Sequence, residues 1–211
     1  MFELIKVFPA FFLTALLLAI VPGQGVAMVL RQSIIGGKRP ALYAVLGNSS
    51  GLLVWGAASG IGLSAVFAKS HIAFNILKYA GVLYLCFLSI KTLLELRKEF
   101  GKFDFNSEVK VKFGEAYRIG LLTNLTNVKA AVFAVAFIPQ FVPKDFNLGF
   151  GIFILSVVQA TASMTWYGSL ILAVDRASDF LEIPRVRRAL TAISAVGILF
   201  LAIGLLLSNP R

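Results

Sequence analysis

The feature that most constrains this chain is a lysine, Lys129, at the start of an apolar stretch that runs from Ala130 to Val142. That stretch is too short to cross a bilayer, which takes about 20 residues in a helix. A spanning helix must therefore reach back to about Arg118, which places Lys129 near the midplane. Each interface is then roughly 15 Å away, beyond the reach of a lysine side chain of ~6 Å. The ammonium group must lie in a protein pocket or a water-filled cavity, and this depth favours a transport site.

The composition favours an integral membrane protein. The 211 residues are 58% hydrophobic and 14% charged, with a mean hydropathy of +0.86, which a water-soluble domain with a polar surface would not show. One cysteine, Cys86, excludes an intrachain disulfide, and the one histidine, His71, lies beside a loop. A His/Cys/Asp metal cluster cannot be assembled within the membrane from these residues. We therefore expect no metal and no other cofactor.

Six segments are apolar and long enough to span the membrane: 8–30, 41–67, 72–94, 118–142, 146–174 and 189–207. The first is interrupted by Pro22, Gly23, Gln24 and Gly25. Proline removes a backbone donor and glycine loosens the helix, so carbonyls are freed at membrane depth. A tolerated kink is one interpretation. We favour a broken helix whose exposed backbone binds substrate, as in many transporters.

Polar and small residues form stripes on two other spans. The second span carries Asn48, Gly51, Trp55, Ser59 and Gly62 on one face, and the spacings Gly47–Gly51 and Gly56–Gly60 allow close helix approach. Most of this stripe is predicted to pack, and Asn48 is the member predicted to touch water or substrate. The fifth span carries a polar and aromatic stripe made of Ser156, Gln159, Ser163 and Trp166.

The basic residues predict the orientation of the chain. Thirteen lysines and arginines lie in the loops after the first, third and fifth spans, against only four on the other side. Because basic loops stay in the cytoplasm, the polar loop 95–116 is predicted to be cytoplasmic and both termini to face outside. The net charge of +10 is then an orientation signal. Nucleic acid is not expected as a partner, since five acidic residues interleave with the basic residues of 95–118.

The loop also divides one transporter domain, residues 1–211, into two halves, 1–94 and 117–211. Each half has three predicted spans, so the two halves have opposite orientations. Each opens with an interrupted helix, at Pro22–Gly25 in one and at Asn124–Lys129 in the other. The predicted fold is an all-α polytopic membrane protein with six transmembrane helices in two inverted three-helix repeats. Its site is expected where the two breaks meet.

Several stretches taken together resemble the LysE/RhtB family of amino-acid exporters over nearly the whole chain. They are Ile20–Gly23, Gly36–Gly47 with Gly51, Leu77–Leu85, and Asn127–Phe133 with Pro139–Phe141. The resemblance implies efflux of amino acids or close derivatives across the cell membrane by a secondary transporter, an antiporter driven by the proton gradient. The family usually has Pro-Gly-Pro followed by Asn or Asp, where this chain has Gln24 and Gly25, and Asn-Pro-Lys, where it has Val128.

The predicted mechanism is alternating access around a midplane site, with Pro22, Gly23 and Pro139 as hinges. Lys129 is expected to pair with the substrate carboxylate, helped by amides around Gly23, Gln24 and Gly25 and by hydrogen bonds from Asn48, Asn124, Asn127 and Gln159. Asn124 and Asn127 converge with Lys129 only if the helix unwinds near Asn127, which predicts a break there. In the alternative interpretation, Lys129 bonds neighbouring carbonyls and only locks the bundle.

Two other classes of function, a membrane-embedded enzyme and a divalent-cation exporter, fit the sequence less well than amino-acid transport. A membrane-embedded enzyme would need an intramembrane dyad, yet no Asp, Glu or His lies within a predicted span. A divalent-cation exporter lacks ligands for the same reason. A structural or regulatory membrane protein that has lost transport stays open. The expected partners are an amino-acid substrate and membrane lipid, and a homo-oligomer is also left open.

Overall fold

The computed structural model describes residues 2–21, 23–67 and 112–182, with isolated positions within 72–94 and 189–206. These parts of the chain form helices and no strand: α1 (Phe2–Ile20), α2 (Gln24–Gly36), α3 (Lys38–Phe67), α4 (Phe113–Leu125), α5 (Val128–Phe141) and α6 (Leu148–Glu182). Pro22 lies outside the described residues, as do most of the predicted third and sixth spans and nearly all of the predicted loop 95–116.

The helices agree with a membrane protein. Among the described residues, α1, α3 and α6 are long and apolar enough to cross a bilayer, and α4 and α5 together make a fourth candidate, bent by 58° at the break between them. The first predicted span is broken where Pro22 and Gly23 predict it, because α1 ends at Ile20 and α2 begins at Gln24. Gln24 and Gly25, however, belong to the first turn of α2 and not to the break.

Glycines bring α3 into close contact with two other helices. A Cβ atom at Gly47 would overlap the backbone of Tyr117 in α4, and one at Gly120 in α4 would overlap the backbone of Ala44. Gly56 and Gly60 face Ser156 and Gly149 of α6 in the same way. The two glycine spacings predicted to allow close approach therefore mark real helix contacts. Gly62 is different, since it is exposed and no described atom lies within 4 Å of a Cβ placed there.

Two apolar clusters lie at opposite ends of the bundle. The first joins α1, α5 and α6, and its aromatic rings include Phe11, Phe133 and Phe137, with 6.0 Å between the ring centroids of Phe11 and Phe133. The second joins α2, α3, α4 and α6 through residues such as Met28 and Leu170. Along the chain, the break between α1 and α2 and the break between α4 and α5 therefore both lie between the two clusters in the part of the chain that the structure describes.

A π-helical turn, Phe133–Phe137, precedes Pro139 in α5. The Ile138 N–H donates to the Phe133 carbonyl, five residues earlier. In this register the Ala134 carbonyl would need the N–H of residue 139, which proline lacks. The Ser59 hydroxyl of α3 donates to that carbonyl instead, with an Oγ···O distance of 2.8 Å. The 58° bend lies at the break between α4 and α5, and the role of Pro139 as a hinge stays a prediction.

We expect Gly120→Ala to lower the thermal stability of the detergent-solubilised protein. The added methyl group meets the backbone of Ala44, which cannot move aside cheaply, and overpacking costs about 1–3 kcal/mol. The melting temperature should fall by several degrees. Gly62→Ala is the matched control, because it makes the same change at an exposed helical glycine and should be tolerated. Equal melting temperatures for the two variants would contradict the close packing of α3 and α4.

Ser59→Ala should also lower the melting temperature, because it leaves the Ala134 carbonyl without a donor, at a cost of about 1–3 kcal/mol. In a Pro139→Ala background the N–H of residue 139 is restored, so the same substitution should cost much less. Thermal unfolding of both single variants and the double variant measures this coupling. Ser33→Ala serves as the control, since the Ser33 hydroxyl donates only to the Val29 carbonyl, four residues earlier in its own helix. Additive effects of Ser59→Ala and Pro139→Ala would argue against this role for Ser59.

Candidate functional site

The break between α4 and α5 is formed by Thr126 and Asn127. Asn127 has an extended backbone (φ −83°, ψ 98°), and its side-chain oxygen accepts a hydrogen bond from the Lys129 N–H at 3.1 Å. This is the geometry of an N-cap, which satisfies a donor at the start of a new helix. The predicted break near Asn127 is thus present. One function of the Asn127 side chain is to start α5 with Lys129 in its first turn.

The ammonium of Lys129 lies at the end of α1. Its Nζ donates to the carbonyl of Leu18 at 3.1 Å and to the carbonyl of Val21 at 3.4 Å. In a continuing helix the Leu18 carbonyl would accept from residue 22, which is proline in the sequence and has no N–H. The partial negative charge at a helix C-terminus also favours a cation. Lys129 therefore replaces the donor that the proline removes.

The two broken helices meet at this point. A Cβ atom at Gly23 would lie 3.8 Å from the Lys129 Nζ, and Gly23 itself caps the start of α2 with an extended backbone. The hydrogen bonds of the Lys129 ammonium to carbonyls are the contacts expected under the alternative interpretation, in which Lys129 only locks the bundle. The same side chain, however, also lines a cavity, so its surroundings are not limited to the end of α1.

The cavity is small, and polar and apolar residues share its lining. Its volume is about 20 Å³, room for about one water molecule. Helix α1 contributes an apolar wall from Ala15, Leu18 and Ala19. The polar residues that line it come from α3, α4, α5, α6 and the break, and they are Asn48, Asn124, Asn127, Lys129, Gln159, Ser163 and Tyr167.

Two residues of the cavity wall have side-chain amide oxygens that find no hydrogen-bond partner in the part of the chain that the structure describes. The Asn124 side-chain nitrogen donates to the Asn48 side-chain oxygen at 3.2 Å, while Asn124 Oδ1 and Gln159 Oε1 are buried and unpartnered. Gly51 leaves room for the Asn124 side chain, which a Cβ there would meet at 2.6 Å. A buried acceptor without a donor is unfavourable by about 1–3 kcal/mol. Asn124 and Gln159 both line the cavity, and a ligand with donor groups is the kind that suits such acceptors.

Tyr167 is a cavity residue that the sequence analysis missed. Helix α6 presents Gln159, Ser163 and Tyr167 to the cavity, each four residues after the one before. The predicted stripe on this helix ended at Trp166 instead, which is half-buried and packs beside the second apolar cluster. Continuing the stripe by four residues after Ser163, instead of three, would have found Tyr167.

Comparison with known proteins gives the family. Residues 16–209 match the family described as LysE type translocator. The chain belongs to this family. It is 32% identical over 206 residues to the homoserine/homoserine lactone efflux protein of Salmonella typhimurium, covering 96% of each chain. It is also 27% identical over 208 residues, 98% of each chain, to an uncharacterized membrane protein of Vibrio cholerae. No solved structure matches.

The resemblance to LysE/RhtB exporters is thereby confirmed, and family members are translocators, not enzymes. In this LysE type translocator, five of the residues predicted for the site line one cavity: Asn48, Asn124, Asn127, Lys129 and Gln159. Gly23 lies beside the ammonium of Lys129. Gln24 is exposed and Gly25 packs against Tyr167, and neither is among the residues that line the cavity.

Proposed function

We propose that this LysE type translocator exports amino acids or close derivatives from the cytoplasm across the cell membrane, and that the cavity around Lys129 is the binding site. One observation carries the proposal: the same cavity is lined by Lys129 and by two residues, Asn124 and Gln159, whose side-chain oxygens have no partner among the described residues. An amino-acid zwitterion offers the complementary groups, a carboxylate for the ammonium and an ammonium for the amide oxygens of Asn124 and Gln159. Two similar proteins bear the name homoserine/homoserine lactone efflux protein, which supports the direction and the class of substrate.

Binding would change the partners of Lys129. Without substrate, its ammonium is held by the carbonyls of Leu18 and Val21, which are neutral acceptors. A carboxylate is a stronger acceptor because its hydrogen bond to an ammonium is charge-assisted. The substrate would replace one carbonyl or both, and so would loosen the contact between α5 and the end of α1.

The cavity must also widen, since about 20 Å³ holds about one water and not an amino acid. Widening is cheapest where helices already end, so we propose the break at Pro22 and Gly23 and the break at Asn127 as the places that move. Pro139, in contrast, lies inside a helix tied to α3 by Ser59. Alternating access would then open the first or the second apolar cluster in turn, by rocking of residues 1–94 against 117–211.

Coupling to the proton gradient is part of the proposal. The cavity residues of the described chain include only two ionisable side chains, Lys129 and Tyr167. Lys129 is the one whose charge change would alter carboxylate binding. Proton exchange in this antiporter is therefore proposed to act at Lys129, with the amino acid and the proton moving in opposite directions.

The proposed membrane arrangement has six spans with both termini outside. The rings of Tyr43 in α3 and Phe113 in α4 stack with 4.8 Å between centroids. The basic residues next to them, among them Lys38 and Lys112, thus lie at one end of the bundle. Lys6 and Lys144 lie at the other end of the bundle, which holds the first cluster, since their neighbours Leu4 and Val142 both belong to that cluster. This separation supports the cytoplasmic assignment of the end that holds Lys38 and Lys112.

A reporter tests that orientation. Alkaline phosphatase, which is active only outside the cytoplasm, should be active when fused after Arg211 and inactive when inserted near Asn106. Green fluorescent protein, which fluoresces inside, should give the opposite pattern at the two positions. A cytoplasmic C-terminus would contradict both the six-span count and the inverted repeat.

Lys129→Met tests the site and the function together. Proteoliposomes with the wild-type protein should export loaded homoserine, and Lys129→Met should lower that rate at least tenfold per inserted molecule. The reason is the loss of a charge-assisted contact worth about 1.5–3 kcal/mol. Homoserine lactone has the same ammonium but no free carboxylate, so its export should fall much less. Lys129→Arg should be impaired as well, because a planar guanidinium does not fit a pocket shaped for an ammonium.

The control is Ser59→Ala, which is expected to destabilise the bundle at the π-helical turn and lies outside the residues that line the cavity. It shows how far efflux per inserted molecule depends on stability. If Lys129→Met lowers homoserine and lactone export by the same factor, and by no more than Ser59→Ala does, Lys129 only locks the bundle. A wild-type protein that exports no amino acid would favour the non-transporting alternative.

A further inference from the structure

The Tyr167 hydroxyl is a polar group that the proposed zwitterion contacts leave unused. The side chain is only 5% exposed, and it lines the cavity. Among the described residues nothing forms a hydrogen bond with this hydroxyl, although a buried tyrosine O–H usually finds a partner. Such a group is suited to a ligand that brings its own hydrogen-bonding atom.

Gly25 leaves space for this hydroxyl. A Cβ atom at position 25 would overlap the Tyr167 Oη and come within 3.1 Å of its Cζ. Gly25 is buried in the first turn of α2, where alanine would suit the helix at least as well. The requirement for glycine at this position thus comes from the tyrosine and not from the backbone of α2.

The position of Tyr167 separates it from the groups assigned to the zwitterion. It follows Gln159 by two helical turns on α6, about 12 Å along the helix axis, and its side chain leans back toward the start of the helix. The ring also packs into the second apolar cluster. Lys129, Asn124 and Gln159 are assigned to the α-carboxylate and α-ammonium, and the Tyr167 hydroxyl is left to meet the substrate side chain.

We propose that Tyr167 is a specificity-determining residue that binds a hydroxyl group on the substrate side chain, and that Gly25 positions it. The inference rests on the proposed function. A hydroxyl both donates and accepts, so Tyr167 can pair with a substrate hydroxyl in either direction. An apolar side chain of the same size would leave the Tyr167 O–H buried and unpaired, which makes a site of this kind reject the analogue.

Homoserine and 2-aminobutyrate form a matched pair for the test, because they share one carbon skeleton and differ only in the hydroxyl. Efflux of each is measured from loaded proteoliposomes that hold the wild-type protein or Tyr167→Phe. The wild-type protein should export homoserine roughly tenfold faster than 2-aminobutyrate. Tyr167→Phe should bring the two rates together, because it removes both the partner of the homoserine hydroxyl and the O–H that 2-aminobutyrate leaves unpaired.

Gly25→Ala provides a second variant that keeps the tyrosine. It should lower the homoserine rate as Tyr167→Phe does, since the added methyl group displaces the hydroxyl, and it should add little further loss in the Tyr167→Phe background. Equal wild-type rates for the two amino acids would overturn the role of Tyr167 while the proposed function stands. The same holds if Tyr167→Phe and Gly25→Ala each lower the homoserine rate and the 2-aminobutyrate rate by the same factor. A wild-type protein that exports neither amino acid would remove the proposed function and this inference with it.

Discussion

The bundle depends on replacing two backbone donors that proline removes inside an apolar environment. The Leu18 carbonyl loses its helical partner because residue 22 is proline, and the Ala134 carbonyl loses its partner because residue 139 is proline. An unsatisfied carbonyl at membrane depth costs several kcal/mol. Lys129 donates to the first and Ser59 to the second. Both donors come from distant parts of the chain, so the residues that interrupt the helices also tie them together.

For Lys129, this structural bond and the proposed binding contact involve the same ammonium. A ligand can shift a conformational equilibrium only by as much as it binds one state better than the other. A carboxylate that takes the ammonium away from α1 would satisfy this condition, because it weakens the contact that holds the closed arrangement. Under the proposed function, substrate binding and release of the α1 end are thus one event. No further contact is then needed to couple substrate binding to the release of α1.

The glycines of α3 set the geometry on which this chemistry depends. Close contact of Gly47 with Tyr117, and of Gly120 with Ala44, brings the backbones of α3 and α4 together. The Asn124 side-chain nitrogen can then donate to the Asn48 side-chain oxygen across the interface at 3.2 Å. The Asn124 side-chain oxygen stays buried and has no partner among the described residues. A rigid interface on one side and broken helices on the other suit a site that must hold its ligand and still open.

The sequence alone located both helix breaks and identified the glycine spacings of α3, because each depends on residues that are close in sequence; the mid-depth position of Lys129 stays a prediction. Sequence analysis did not reveal that Ser59 completes the π-turn before Pro139, that Tyr167 reaches the cavity or that Gly25 makes room for it. It also set Gln24 and Gly25 within the break, where the structure has the first turn of α2. These features depend on which faces of distant helices meet, and that is decided by packing in three dimensions, since many rotations of an apolar helix satisfy the same periodic pattern.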